Sequence, residues 1–526
     1  MKKLANASQM KWIDGYSIDE IGIPSLVLME KAALSVALEV KKEIVASNPK
    51  ENKILAVCGV GNNGGDGVAA LRILIEWGYE GAVLLVGDIN KASEQMQVQL
   101  SIARKLSIPI INYEKVENND LFYQSYTIII DALFGIGLSK EVTGKYRTVI
   151  EEVNQIRRDK KPQSKVVAVD IPSGICASTG KVMGCAIEAD KTVTFGVGKL
   201  GLILYPGCEY TGNLVVADIG FLKLAVEKAE VEAFCYERED IGVLLPKRKR
   251  DSNKGTYGKV LVIGGAENMA GACCLSARAA YTMGAGLVKV MTEKANRVIV
   301  QTLLPEALLS TYEESTILKE KENILKELEW ATTIVIGPGL GKKAGAACLV
   351  EWVLEYAKVP VVIDADGLNL IAENGGIERV LQKKNVILTP HLKEMERLTG
   401  TTINKMKEDI VSFAKEIMKT AQCILVLKDS RTIVTDGTKV YVNVSGNNGM
   451  AKGGSGDVLS GIIAGLLAQK MDGFQAGSLG VYLHGLAGEC VTEECSEYSL
   501  LAGDLIWGLK KEIQKNEGIL SDLCRD

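Results

Sequence analysis

Two short apolar runs constrain this chain more than any other feature: KILAVCG at Lys53–Gly59 and KVLVIG at Lys259–Gly264, each running straight into further glycine. A run this short and this uniformly apolar fits a strand buried on both faces, which is the habit of parallel sheets covered by helices. The pattern recurs in both halves. In the first, strand-like segments at Ala82–Val86, Tyr126–Asp131, Lys165–Asp170, Lys191–Phe195 and Asn213–Ile219 accompany helical stretches at Val68–Trp77 and Ser93–Leu106. In the second, strands are expected at Thr333–Ile336, Val361–Asp364, Val386–Thr389 and Ile424–Lys428, with helix dominating from Gly456 onward. Strands alternating with helices predict α/β architecture, and 526 residues are too many for one core. The reading is therefore two three-layer α/β/α domains, over 1–222 and 241–526, with the charged stretch 223–240 as a bridging helix.

Composition removes several function classes. A net charge of −4 argues against a general nucleic-acid surface, which needs a basic face. The short basic run Lys247–Arg250 reads as a solvated domain entrance. No window approaches the roughly 18 apolar residues of a membrane span, and the N-terminus lacks the apolar core of a signal peptide. A cytoplasmic protein without membrane partners is expected. None of the twelve cysteines falls into a C-x-x-C pair, so zinc ribbons and thioredoxin chemistry lack support. With only His391 and His484 available, a Ser-His-Asp hydrolase or a histidine metal site is hard to build.

The first glycine loop, Gly59-Val-Gly61-Asn-Asn-Gly64, matches G-x-G-x-x-G between a strand and a helix, the dinucleotide fingerprint. It continues as Gly65-Asp66-Gly67, and Asp66 would set a carboxylate where that fingerprint wants a phosphate. The loop instead suits a sugar hydroxyl, an amide or a cation, or it is a tight turn without ligand. Asp131-Ala-Leu-Phe-Gly135-Ile-Gly137 and Asp170-Ile-Pro-Ser173-Gly174 also end strands. Ligands of open α/β sheets bind at such ends, so Asp66, Asp131 and Asp170 are expected to converge on one crevice. Asn63, Asp131 and Ser173 offer oxygen donors only, suited to a hard cation.

GNNGGDG, DALFGIG, VDIPSG and the later TFGVGKLGLILYPG, in this order, resemble the NAD(P)H-hydrate epimerase domain, a Rossmann-like fold. The resemblance implies a potassium ion held by Asn63, Asp131 and Ser173. It implies substrate contacts at Asn62, Asn63, Gly64, Gly65 and Asp66, at Gly135, Ile136, Gly137, Leu138, Ser139, Lys140 and Glu141, and at Asp170. The reaction would interconvert the epimers of a hydroxyl at C6 of a hydrated nicotinamide ring, with Asp170 as its acid/base.

The second glycine loop, Gly453-Gly-Ser-Gly456-Asp457, precedes an apolar helix, Val458–Ala468. Backbone N–H groups there could form an anion hole for a transferring phosphoryl group, with Asp457 taking the proton of the attacking hydroxyl. An Asp in a first turn can also be a simple capping residue. No G-x-x-x-x-G-K-[ST] motif occurs, which excludes a P-loop NTPase. Gly337-Pro-Gly339-Leu-Gly341, Asp364-Ala-Asp366, Thr389-Pro-His391 and Lys428-Asp-Ser-Arg431-Thr432 each follow a strand. Together they resemble the ribokinase-like superfamily, most closely its ADP/ATP-dependent NAD(P)H-hydrate dehydratases. That resemblance implies nucleotide contacts at Lys428, Asp429, Ser430, Arg431, Thr432 and Gly456, and substrate contacts at Ala272, Gly339, His391 and Asp457. ADP or ATP with Mg2+ would phosphorylate the ring hydroxyl, small molecules would be the only substrates, and a homo-oligomer is expected. Asn253 and Lys452 depart from the histidine and threonine usual in that family. His391 could be structural instead, and His484 reads as a core residue. Rival readings are an NAD-dependent dehydrogenase using Asp88 for the ribose, a vitamin or sugar kinase with an attached binding module, and a binding scaffold.

Overall fold

The computed structural model describes residues 1–44, 52–116, 119–160 and 164–523, and the chain separates into two compact units, Lys2–Glu232 and Ala233–Asp526. Among the described residues no helix is long and apolar enough to cross a membrane.

The first unit is built on a seven-stranded, all-parallel sheet. Its order is Ile110–Asn112, Glu80–Leu85, Lys53–Cys58, Ile128–Ala132, Lys165–Val169, Lys191–Phe195, Asn213–Ala217. Alternate residues of the central strand explain its uniform apolarity. Ile54, Ala56 and Cys58 pack with the helices Ser25–Glu43 and Asn62–Glu76, whereas Leu55 and Val57 face Val149, Ile150 and Val153 of the helix Gly144–Lys160. Strand order reverses between Lys53–Cys58 and Ile128–Ala132, and the loops at Gly59 and Leu133 leave the sheet at that reversal. This is where such folds open a crevice.

The second unit repeats the plan. Seven strands run parallel in the order Leu308–Tyr312, Leu287–Glu293, Lys259–Ile263, Thr333–Ile336, Val361–Ile363, Val386–Leu388, Ile424–Leu427. An antiparallel hairpin, Ile433–Thr435 with Val440–Val442, extends this sheet, and Ala233–Cys235 joins Val440–Val442 in parallel. The helices Ala270–Thr282, Ser455–Ala468, Gly473–Thr492 and Ala502–Leu523 supply one broad buried cluster.

The stretch 223–240 differs from the expected bridging helix. It contains a short helix, Lys223–Lys228, then the strand Ala233–Cys235, then the start of the helix Arg238–Leu244. Ala225 and Val231 are buried against Ala5, Met10 and Ile13, so the apolar residues among the charges hold this stretch to the first unit's core. The strands Leu287–Glu293 and Leu308–Tyr312 were not anticipated because LVKVMTE and LLSTY carry polar residues that interrupt an apolar run.

Candidate active sites

In the first unit the carboxyl ends of the strands surround a cavity of about 680 Å³, within the usual range for small-molecule sites. Asn62, Asn63, Asp66, Gly135, Ile136, Gly137, Leu138, Ser139, Lys140 and Asp170 line it, between apolar walls that include Met29, Phe134 and Phe221. Asp66 and Asp170 therefore meet as expected. Asp131 lies under the floor: it is buried, and its carboxylate accepts from Ser173 N at 2.7 Å, Ser173 Oγ at 2.6 Å and Leu133 N at 3.3 Å. Burial pushes its pKa up to about 6 against these donors.

Gly64, Gly65 and Glu141 do not line the cavity. For the two glycines the reason is packing. A side chain on Gly64 would sit 1.9 Å from the Gly59 carbonyl oxygen, and one on Gly65 would strike Met29. Gly67 is pressed likewise against Ala132 and Cys58. Much of the glycine in GNNGGDG thus lets the helix Asn62–Glu76 approach the sheet. Asp88, the ribose partner of the dehydrogenase reading, caps the short turn Ile89–Lys91 through Asn90 N and does not line the cavity.

Three charged residues of this cavity escaped the sequence reading. Lys199 lines it, is only 1 % exposed, and donates from Nζ to Asp170 Oδ1 at 2.7 Å and to the Phe195 carbonyl at 2.8 Å. Thr194 Oγ1 and Phe195 N also donate to Asp170 Oδ1, at 3.1 and 3.3 Å. Lys11 and Asp14, both on the helix Ala7–Gly15, are the others. Burial first, and the Asp170 charge second, hold the carboxyls of both Asp14 and Asp66 above the ordinary range. Lys199 was legible as part of TFGVGKLGLILYPG; Asp14 carried no signal, being a lone acid in a helix remote in sequence.

In the second unit Asp364, His391 and Lys428 end three adjacent strands. Asp364 is buried and accepts from Lys428 Nζ at 2.8 Å and from Ser460 Oγ. Burial alone would raise its pKa, but Lys428 and Ser460 bring it below the usual carboxylate range. Gly456 lies against this pair: a Cβ there would stand 3.3 Å from Lys428 Nζ. Asp457 follows in the first turn of the helix Ser455–Ala468, and burial together with the Asp364 charge raises its pKa to about 7 despite Lys428. That is well suited to proton transfer near neutrality.

Ala272 and Gly339 come together at this sheet's own reversal, where a Cβ on Gly339 would lie 3.0 Å from that of Ala272. In the loop after Lys428, Asp429 pairs with Lys407 at 3.4 Å, Arg431 Nη1 donates to the Val444 carbonyl and Thr432 Oγ1 to the Asp429 carbonyl. These bonds shape a turn around Ser430. His391 caps the helix Leu392–Thr399: its Nδ1 accepts from Lys393 N and Glu394 N, both at 3.1 Å, while its ring stays half exposed. Burial and the nearby Lys428 lower its pKa below the ordinary imidazole value. His484 is partly buried within the helix Gly473–Thr492, and desolvation lowers its pKa to about 4. Asn253 Oδ1 accepts from Gly255 N, and Lys452 Nζ donates to the Tyr498 carbonyl, so both departures from the family pattern have local structural roles.

Comparison with known proteins follows the same division. Residues 25–201 match the family described as YjeF-related protein N-terminus, and residues 260–511 match NAD(P)H-hydrate dehydratase. The bifunctional NAD(P)H-hydrate repair enzyme Nnr of Moorella thermoacetica is 35% identical over 96% of this chain and 95% of its own. That of Coxiella burnetii is 37% identical over 92% and 94%. A solved ADP/ATP-dependent NAD(P)H-hydrate dehydratase from Bacillus subtilis, co-crystallised with ATP and Mg2+, is 32% identical over 53% of this chain and 97% of that one, at a TM-score of 0.47. With both halves matched in order and relatives aligned along nearly the whole length, the chain belongs to the family of bifunctional NAD(P)H-hydrate repair enzymes.

Proposed function

We propose that the first unit epimerises the C6 hydroxyl of hydrated NADH and NADPH, and that the second dehydrates the S epimer with ADP as phosphoryl donor. The observation that carries this reading is Asp457: a carboxyl with a pKa near 7, in the first turn of a helix entered through four residues of glycine and serine, beside Lys428. An ionised Asp457 takes the proton of the ring hydroxyl as its oxygen bonds to the terminal phosphorus of the nucleotide and AMP leaves. Phosphate then departs from C6 as a proton is lost from the neighbouring carbon, restoring the ring double bond. Hydroxide is a poor leaving group and phosphate a good one, which is the reason for a nucleotide. Lys428, the turn through Asp429, Ser430, Arg431 and Thr432, and Gly456 hold the nucleotide; Ala272, Gly339 and His391 hold the substrate. Magnesium arrives with the nucleotide phosphates.

In the first unit Asn62, Asn63, Asp66, Asp170 and the Gly135–Lys140 loop receive the hydrated ring and its nucleotide. Asp170 is the acid/base of hemiaminal opening and closure. Asn63, Asp131 and Ser173 fit a potassium ion. Their donors are oxygen, and among the described residues the buried Asp131 carboxylate has no cationic side chain beside it. Potassium would supply the missing countercharge there.

The test uses the purified full chain. The S epimer with ADP and magnesium should regain reduced-nicotinamide absorbance, and full activity with ATP but none with ADP would refute the donor assignment. The R epimer without nucleotide should convert faster in potassium than in sodium. An Asp131→Ala variant that keeps wild-type rate and potassium response would refute the ion site.

A further inference from the structure

Asp170 occupies an uncommon position. Its backbone is left-handed, at φ 64°, which costs a non-glycine residue energy unless its surroundings enforce it. Three donors enforce it here, all on one oxygen: Thr194 Oγ1, Phe195 N and Lys199 Nζ converge on Oδ1. No partner for Oδ2 is found among the described residues, and both Asp170 and Lys199 line the cavity.

Lys199 is the unusual member of this set. Its side chain is 1 % exposed, and Nζ is anchored a second time by the Phe195 carbonyl, at 2.8 Å. A buried ion pair gives little net stability, because desolvating both charges offsets their attraction, and an apolar pair of similar volume often serves as well. Something other than stability must account for an ammonium held inside a substrate-sized cavity. The other acids facing Asp170 are Asp14, from the helix Ala7–Gly15, and Asp66, from the helix Asn62–Glu76. Among the described residues neither is bonded to a cationic side chain, so Lys199 serves Asp170 alone. Lys11 and Lys140 also line the cavity, without a bond to Asp170.

We infer that Lys199 is a positioning residue for epimerisation: it pins Oδ1 of Asp170, so that Oδ2 is aimed at the ring hydroxyl. This rests on the epimerase reading of the first unit. Oδ1 is then held by side chains the protein itself supplies, and the ring can reach Oδ2 without disturbing that pair.

The experiment measures R-to-S conversion by the full chain without nucleotide, for wild type and Lys199→Met. Dehydration of the S epimer by the same samples reports on their overall integrity. Wild type is measured first, and failure to epimerise would overturn the function and this inference together. Lys199→Met should lose about 100-fold in kcat, as expected for a misplaced group, while KM changes less than about threefold. Lys199→Met combined with Asp170→Asn should be no slower than Asp170→Asn alone. Wild-type kcat in Lys199→Met, or a double variant markedly slower than Asp170→Asn alone, overturns the inference while leaving the epimerase reading intact. Should Lys199→Met fail to fold, Lys199→Gln keeps a donor without the charge and carries the same expectations.

Discussion

The two sites are built alike and tuned in opposite directions. Each lies at the carboxyl ends of a parallel sheet, beside a glycine-rich entry to a helix, and each pairs an aspartate with a lysine. In the first unit the lysine goes to one of the aspartates that line the cavity, Lys199 to Asp170 at 2.7 Å. In the second it goes to a neighbour, Lys428 to Asp364 at 2.8 Å, and Asp457 is left with its proton affinity raised. The lesson is that the aspartate a lysine touches sets the charge state of the others. Asp364 becomes a fixed anion, and its charge is one of the reasons that Asp457 titrates near neutrality.

The largest expected effect breaks the comparison on the second side. Asp457→Asn keeps the shape of the loop and removes the base. Dehydration should fall by about 100-fold or more, with epimerisation untouched, in a chromatographic time course on mixed epimers. Loss of both activities in a folded variant would mean one composite site rather than two.

The counterpart is Asp170→Asn, where epimerisation should drop by roughly 100-fold. The S epimer would still be consumed while the R epimer accumulates beyond its slow spontaneous conversion. Rapid clearance of both epimers would show that another group moves the proton.

A pH series sharpens the contrast in charge state. Asp457 acts as a base only when ionised, so dehydration should be level above its pKa of about 7 and fall below it. The expected slope is about tenfold per unit. Lys428 lowers the Asp457 pKa, so any Lys428→Met variant that retains activity should have this limb moved upward. A rate independent of pH between about 5 and 8 would contradict the general-base role.

The smallest effect concerns His391. His391→Ala removes a helix cap, which should cost about 1 kcal/mol in thermal or denaturant unfolding of the second unit, and His391→Asn should restore most of it. If His391→Asn regains stability but not the KM for the hydrated cofactor, the exposed ring edge contacts substrate as well as capping. If both return, capping is the whole role.

Much of the architecture was legible in the sequence, for a physical reason. A central parallel strand is apolar on both faces, so KILAVCG and KVLVIG announce themselves, and the observed strands Lys53–Cys58 and Lys259–Ile263 stop where glycine begins. Edge strands such as Ile110–Asn112 and Leu308–Tyr312 have weaker patterns and were missed. Asp66, Asp170 and Asp457 stood out because polar residues at strand and helix ends beside glycine are few.

What the sequence by itself determined is the list of elements, their alternation and the loops that carry chemistry, since these follow from local periodicity and turn residues. Only the tertiary structure decided which charges meet. Lys199 reaches Asp170 across 29 residues and Lys428 reaches Asp364 across 64, distances along the chain that no local pattern encodes. The same holds for the glycines of GNNGGDG, whose need became clear only with the backbone of Gly59 and the side chains of Met29 and Ala132 in place. Periodicity is a property of neighbours in sequence. The state of a proton depends on neighbours in space, and those are fixed when helices and sheet close over them.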